Sequence, residues 1–341
     1  MIDMSILNRD TLTSCVLNGI IAFVGLLGNA LMLRALIKYD RLRLDVYVIF
    51  GGLALADMFH LCFAVPAKIM DTVHAVEVTT DSWCKVSRYV SNATAYVAAY
   101  HIVVLSVLRG IVLTNRGNAS PTAKHATISS GILWTVALLA STPVFFTFQQ
   151  DEYTELCAVS PSASIHTAIW LEGAFGFFLP MILILFLYFV THYVAKRYFS
   201  DSYSLHARKM SRLINAIVIA FCICQLPYQL FYLYLFYEDE KASDESLTNP
   251  NYDFTYVDTL YTVSDYLYCL LLADRCIRPV LYSKLASDLG DCFDEVINCT
   301  YCNNISRNHK SHRPKVRHSS STSQAPLTGN NPDESREEIS L

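Results

Sequence analysis

Long apolar stretches alternate with short polar segments along most of the chain. An α-helix needs about 20 mainly apolar residues to cross the hydrocarbon core of a bilayer. Seven stretches meet this requirement, at residues 13–38, 45–70, 85–113, 127–148, 166–195, 207–236 and 255–282. The pattern predicts an all-α membrane protein built as a seven-transmembrane helix bundle.

Composition agrees with this prediction, and the charge distribution indicates an orientation. Hydrophobic residues make up 53% of the 341 residues and charged residues 16%, against about 25% charged residues in an average soluble domain. Short cytoplasmic loops carry an excess of lysine and arginine, so we expect the amino terminus outside the cell and the carboxyl terminus in the cytoplasm. The basic connections contain Lys38, Arg41, Arg43, Arg116, Lys124, Lys196, Arg197, Arg208, Lys209 and Arg212.

The opposite connections are acidic, most of all the segment between the sixth and seventh stretches. The net charge of −4 therefore reflects topology and gives no reason to expect a nucleic-acid partner. His60, His101 and His166 are scattered without metal-ligand spacing, so we expect neither a metal site nor a cofactor.

Four segments follow from the pattern. We expect an extracellular amino terminus over residues 1–12, a transmembrane domain over 13–283, a short amphipathic helix over 284–302 and a disordered cytoplasmic tail over 303–341. The amphipathic segment holds three candidate acylation sites that would attach it to the bilayer: Cys292, Cys299 and Cys302.

Most of the eleven cysteines lie inside apolar stretches or on the cytoplasmic side. Only Cys15, Cys84 and Cys157 can reach the oxidising exterior. Cys84 begins the third stretch and Cys157 lies midway in the second outer loop, so a disulfide between them would tie that loop across the mouth of the bundle. Cys15 is expected to be an ordinary apolar helix residue.

The seventh stretch carries charges at membrane depth. Asp274, Arg275 and Arg278 fall within five residues, and each such charge costs about 2.5–3.5 kcal/mol to insert, so they must be paired inside the bundle. Asp57 in the second stretch and Asn29 in the first are the polar groups available to them. We predict a core polar network of Asn29, Asp57, Asp274 and Arg278.

Short motifs recur in order along all seven stretches. Together they resemble the rhodopsin-like (class A) G-protein-coupled receptors over residues 13–293. LPY at 226–228 and DVY at 45–47 are most similar to the chemokine and peptide receptor branch, in which several herpesvirus-encoded members are similarly divergent. The motifs are GN at 28–29, LALAD ending at Asp57, Trp83 with Cys84, Arg109, Trp134, Pro180 with Tyr188, CQLP ending at Pro227, and PVLY at 279–282.

The departures from that family are as informative as the matches. Where the family has Asp-Arg-Tyr the chain has Leu108, Arg109 and Gly110, and the position on the sixth span that often supplies an acidic partner falls near Ala207. Arg278 replaces the Asn that, with the counterpart of Asp57, holds a sodium ion in the family. A guanidinium there is expected to pair with Asp57 directly.

The resemblance implies a receptor that relays an extracellular peptide or protein signal to heterotrimeric G proteins without catalysis. Coupling and activation would involve Arg109, Leu108, Gly110, Tyr188 and Tyr282, and the switch would involve Phe221, Gln225 and Pro227. Loss of the family's restraints on Arg109 implies activity without ligand. The outer mouth offers a candidate ligand pocket of Lys68, Arg88, Ser91, Glu172, Tyr228, Tyr232, Asp265 and Tyr268.

Several alternatives stay open at this point. The acidic outer loop either attracts a cationic ligand or is simply a solvated loop, and a phosphorylated serine run at 319–323 would offer negative charge to an arrestin-like partner. A receptor-shaped scavenger without G-protein coupling is a second functional hypothesis. A transporter or channel that uses the charges of the seventh span is a third.

Overall fold

The computed structural model of the chain describes residues 9–39, 42, 45–73, 80–114, 123–151, 157–160, 170, 172–198, 205–249 and 251–298. Its helices are α1 Arg9–Lys38, α2 Asp45–Thr72, α3 Asp81–Thr114, α4 Ala123–Ala140, α5 Leu179–Tyr198, α6 Leu205–Thr248, α7 Thr255–Leu285 and α8 Ser287–Asn298. A π-helical turn, Ala174–Phe178, leads into α5. Helices α1 to α7 correspond to the seven predicted spans, and α8 to the predicted amphipathic helix, so the predicted fold class is confirmed.

Helix α7 differs from the other spans in how it is held. Six of the described helices, α1 to α6, are long and apolar enough to cross a membrane by length and composition. The 31-residue α7 is long enough, but Asp258, Asp265, Asp274, Arg275 and Arg278 reduce its apolar character. It packs mainly against α6 and α1. Its position in the bundle therefore depends on where its charges find partners.

The predicted outer loop between the sixth and seventh spans is mostly helical. The sixth span was expected to end at residue 236, but α6 continues to Thr248 and includes the acidic residues from Glu238 to Glu245. Glutamate, lysine and alanine in EDEKAS favour a helix, and the segment extends the helix that precedes it. The expected acidic loop is thus an acidic extension of α6.

The fourth span is shorter than predicted, and a small hairpin follows it. Helix α4 ends at Ala140, and a single helical turn, Val144–Thr147, starts directly after Pro143, which has no N–H to donate to the preceding turn. Strand β1, Phe148–Gln150, then pairs antiparallel with β2, Cys157–Val159.

A disulfide fixes this hairpin to the top of α3. Cys84 is bonded to Cys157, with their Cα atoms 5.4 Å apart, as predicted from the sequence. The carboxylate of Asp81 accepts a hydrogen bond from the backbone N–H of Gln150 at 3.1 Å and pairs with Lys85 at 2.7 Å. The hairpin therefore stays close to the start of α3, beside the outer mouth.

The apolar core lies between α2, α3, α5 and α6, where Leu53, Ile102 and Ile214 are fully buried. Helix α1 joins the bundle through close approach at glycine. A Cβ on Gly28 would lie 2.9 Å from the ring of Pro279 on α7, whereas a Cβ on Gly19 would meet nothing within 4 Å.

Gly28 and Gly19, both in α1, provide a matched test of this contact. Gly28→Ala should lower the free energy of unfolding by about 1–2 kcal/mol, because the proline ring is rigid and cannot yield. Gly19→Ala should be neutral or stabilising by up to about 1 kcal/mol, since alanine favours the helix. Thermal unfolding of both variants in detergent checks this, and equal effects would contradict the close packing of α1 on α7.

Candidate functional site

A network of four charged side chains lies buried between α2 and α7. Asp57, Asp274 and Arg278 are fully buried, and Arg275 is 2% exposed. Nη1 of Arg278 donates to both carboxylate oxygens of Asp57, at 2.7 and 2.8 Å, and its Nη2 pairs with Asp274. The structure thus forms the Asp57–Arg278 pair that the sequence led us to expect, and Asp274 shares the same guanidinium.

Arg275 is a member that the sequence analysis left out. Its Nη1 donates to Asp57 at 2.7 Å, so one carboxylate accepts from two guanidinium groups. Arg275 precedes Arg278 by three residues, which places both side chains on one face of α7. The sequence feature that could have identified Arg275 is its positive charge at membrane depth, which requires a partner inside the bundle. With two arginines and two aspartates the network carries no net charge.

Asn29 joins the network through the backbone of α7. Its side-chain NH₂ group donates to the carbonyl of Gly25 at 2.9 Å and to the carbonyl of Arg275 at 3.1 Å. This bond connects α1 to the same turn of α7 that carries the arginines. The network therefore holds three helices together at one level of the bundle.

Removing one member of such a network is more costly than its net contribution to stability suggests. Charges taken out of water lose several kcal/mol of solvation each, and only their mutual pairing compensates. A single substitution leaves a partner charged and unpaired in the interior. The arrangement therefore acts as a clamp that keeps α7 against α2.

At the cytoplasmic end of α3, Arg109 contacts neutral groups. It is 7% exposed, its Nε donates to the hydroxyl of Ser211 on α6 at 3.0 Å, and its guanidinium lies 4.9 Å from the ring centre of Tyr188 on α5. Leu108 is buried in the core. A Cβ on Gly110 would come within 3.1 Å of the hydroxyl of Thr191, so glycine allows α3 and α5 to approach closely.

The other predicted activation residues occupy separate positions. Tyr282 is fully buried and packs on Phe50 of α2, with ring centres 4.8 Å apart. Phe221 is buried against Phe177, with ring centres 6.1 Å apart. Gln225 is buried one turn further along α6, and Pro227 lies inside the same helix.

The predicted ligand residues surround the outer mouth. Lys68 forms an ion pair with Asp265 at 2.7 Å and lies 6.0 Å from the ring centre of Tyr268. Tyr228 lies between two other tyrosines, 5.8 Å from Tyr232 and 5.7 Å from Tyr268 between ring centres. The mouth therefore offers an aromatic wall beside a paired cation.

A second cation, Arg88, lies at the same mouth. Arg88 pairs with Asp71 at 3.0 Å and stacks 5.5 Å from the ring centre of Phe148 in β1. Glu172, Tyr228 and Tyr232 lie within electrostatic range of it. Ser91 differs from these residues, because its hydroxyl donates to the carbonyl of Ser87 in its own helix at 2.6 Å. Asp71 was missed by sequence reasoning and completes the ion pair.

Of the three candidate acylation sites, the structure describes only Cys292. Cys292 on α8 is fully buried on the face that packs against the bundle, so acylation there would require α8 to turn or lift. Cys299 and Cys302 lie outside the described residues, as do the tail and its serine run.

Comparisons with known proteins identify relatives of the whole transmembrane domain. The family model described as "7 transmembrane receptor (rhodopsin family)" matches residues 28–282. The allatostatin-A receptor of Bombyx mori is 26% identical over 298 residues, covering 82% of this chain and 78% of that receptor. Galanin receptor 2b of Danio rerio is 24% identical over 306 residues, with 86% and 77% covered. Human C-C chemokine receptor type 1 is 26% identical over 276 residues, with 78% and 74% covered.

A double-mutant cycle tests the buried network. Asp57→Asn should cost about 3–5 kcal/mol of unfolding free energy, because Arg275 loses its carboxylate while Arg278 keeps Asp274. Adding Arg275→Gln restores zero net charge and should recover much of that loss. Thermal or denaturant unfolding of the single and double variants measures the coupling.

The partly exposed pair at the mouth is the matched control. The same cycle on Asp71→Asn and Arg88→Gln should show a coupling below about 1 kcal/mol, because solvent screens those charges. Additive losses for Asp57 and Arg275 would contradict a closed charge network.

Proposed function

Since the chain belongs to the rhodopsin family of seven-transmembrane receptors, we propose that it relays an extracellular peptide or protein signal to a heterotrimeric G protein and signals partly without ligand. Family membership makes it a multi-pass membrane protein of the plasma membrane. The proposed orientation, with the amino terminus outside, rests on the basic connections at one end of the bundle. In that orientation the charged and aromatic mouth faces the exterior, and Arg109 faces the cytoplasm.

The proposed ligand class rests on the outer mouth and on the relatives. Receptors named for allatostatin, galanin and chemokines are among the similar proteins. The mouth contains an aromatic wall and two cations, each of which already forms an ion pair with an aspartate. This combination suits a ligand that bears both charged and apolar side chains. The acidic extension of α6 adds negative charge beside it and would attract a cationic ligand. The carboxylate of Asp253, at the turn before α7, accepts hydrogen bonds from Thr255 that lower its pKa, so it stays ionised.

One observation carries the proposal of ligand-independent activity. Arg109 is held by a hydroxyl and an aromatic ring, where the receptors that this chain resembles use a carboxylate. A carboxylate adds the attraction of an opposite charge and can accept two N–H groups of a guanidinium at once, whereas the Ser211 hydroxyl accepts one hydrogen bond and carries no charge. The cytoplasmic end of α6 is therefore restrained weakly against the outward movement that would admit a G protein.

The buried network acts on a different helix. It connects α7 to α2 and α1, whereas Ser211 lies near the start of α6. A strong clamp on α7 is compatible with a weak restraint on α6. In the proposed mechanism α6 swings outward while α7 stays anchored by its arginines.

Substitutions at Ser211 test basal activity directly. Ser211→Glu would place a carboxylate beside Arg109 and should lower ligand-free nucleotide exchange on a reconstituted G protein about tenfold, the effect of about 1.4 kcal/mol on a two-state equilibrium. Ser211→Ala removes the remaining hydrogen bond and should raise exchange. Ser243→Glu adds the same charge to the exposed outer part of α6 and should leave exchange unchanged.

The outcomes separate the functional hypotheses. High exchange by the parent chain that falls only in Ser211→Glu supports the weak restraint. High exchange that responds equally to both glutamates contradicts it. No exchange by the parent or by Ser211→Ala, with the G proteins active towards a control receptor, would favour a scavenger without coupling.

A further inference from the structure

A groove of about 550 Å³ opens along the outer surface of α1 and α2, away from the mouth and from the buried network. Its walls combine apolar and cationic side chains. The lining residues are Ala30, Leu33, Arg34, Ile37 and Lys38 of α1 and Met58 of α2. The five lining residues of α1 recur at intervals of three or four positions, so they lie on one face of that helix.

The groove runs from the middle of the bundle to the end of a helix. Ala30 and Met58 directly follow Asn29 and Asp57 in the sequence, so the groove starts at the level of the buried network. Lys38 is the last residue of α1, eight residues after Ala30, which corresponds to about 12 Å of helix. The apolar end is therefore deep in the bilayer, and the cationic end lies near its surface.

The charged end has the character of a headgroup site. Within the described part of the chain, no acidic side chain pairs with the exposed Arg34. Lys38 lies one turn further along, with its ammonium 5.0 Å from the ring centre of Tyr39. An arginine one turn inside the helix end must extend towards the membrane surface to stay solvated, and a lipid phosphate at that depth would pair with it.

We propose that this groove binds an anionic phospholipid. The headgroup phosphate lies between Arg34 and Lys38, and one acyl chain follows the apolar wall formed by Ala30, Leu33 and Met58. Basic pockets between transmembrane helices favour anionic headgroups in this way. In this arrangement the side chain of Ile37, which is 77% exposed, lies over the acyl chain on the side that faces the surrounding lipid.

Charge distinguishes this occupant from two others. A sterol or a zwitterionic lipid would fill the apolar wall but would bring no net negative charge to Arg34, with which no acidic side chain of the described residues pairs. A second copy of the chain that docked this same face symmetrically would bring the Arg34 and Lys38 side chains of both copies together. Like charges at such a contact oppose association.

Photo-crosslinking in nanodiscs tests the proposal. The full chain is reconstituted in phosphatidylcholine with a few mole per cent of phosphatidylserine carrying a diazirine in its acyl chain, and adducts are mapped by mass spectrometry. Adducts should concentrate on residues 30–38 and on Met58. Unlabelled phosphatidylserine should compete them away, whereas phosphatidylcholine should not.

Two variants and a control separate the contributions. Arg34→Gln with Lys38→Gln should weaken phosphatidylserine binding about thirtyfold, given the typical attraction of two basic residues to anionic lipid. Ala30→Trp fills the apolar end and should abolish adducts there while keeping both charges. Lys196→Gln with Arg197→Gln removes the same charge from the last turn of α5 and should change nothing at the groove.

Three results would overturn the proposal. Equal competition by phosphatidylcholine would indicate a neutral lipid site. An equal loss in the α5 control would indicate diffuse attraction to the basic surface. Adducts spread evenly over all the helices would show that the groove holds no lipid preferentially.

Discussion

Asp57 accepts hydrogen bonds from two guanidinium groups in the buried interior of the bundle, and the position of α7 depends on this contact. A helix with six charged residues among its 31 is poorly suited to a bilayer unless the protein neutralises its deepest charges. Asp57 and Asp274 together neutralise Arg275 and Arg278, and Asn29 secures the same turn through its backbone. Close packing of Gly28 on Pro279 then brings α1 against that turn.

The same contact gives Asp57 cationic partners from the chain itself. In the receptors that this chain resembles, the counterpart of Asp57 helps to hold a sodium ion that stabilises the inactive state. Here both oxygens of Asp57 accept from arginines that cannot dissociate from α7. The proposed outward movement of α6 would then depend mainly on the neutral contacts of Arg109 with Ser211 and Tyr188.

Much of this architecture could be predicted from the sequence, because membrane insertion leaves few alternatives for long apolar stretches. The seven helices, α8 and the Cys84–Cys157 disulfide follow from length, periodicity and topology. The contact of Asp57 with Arg278 was expected, but that of Arg275 was not, since spacing alone cannot show which of two nearby arginines reaches across to another helix. Ser211 was missed because a hydroxyl residue near a helix end carries no distinctive signal. The acidic extension of α6 was predicted as a loop because its many charged residues indicated exposure to solvent. Its glutamate, lysine and alanine residues also have high helix propensity, so the helix of the preceding span continues through them.

Sodium dependence tests the closed charge network most directly. The thermal unfolding midpoint of the parent chain is measured in sodium and in N-methylglucamine at constant ionic strength, beside a variant with Arg275→Leu and Arg278→Asn. We predict the same midpoint for the parent in both salts, because its arginines occupy Asp57, and a higher midpoint in sodium for the variant, whose two aspartates lack a counter-charge. A parent chain stabilised by sodium at constant ionic strength would contradict the account.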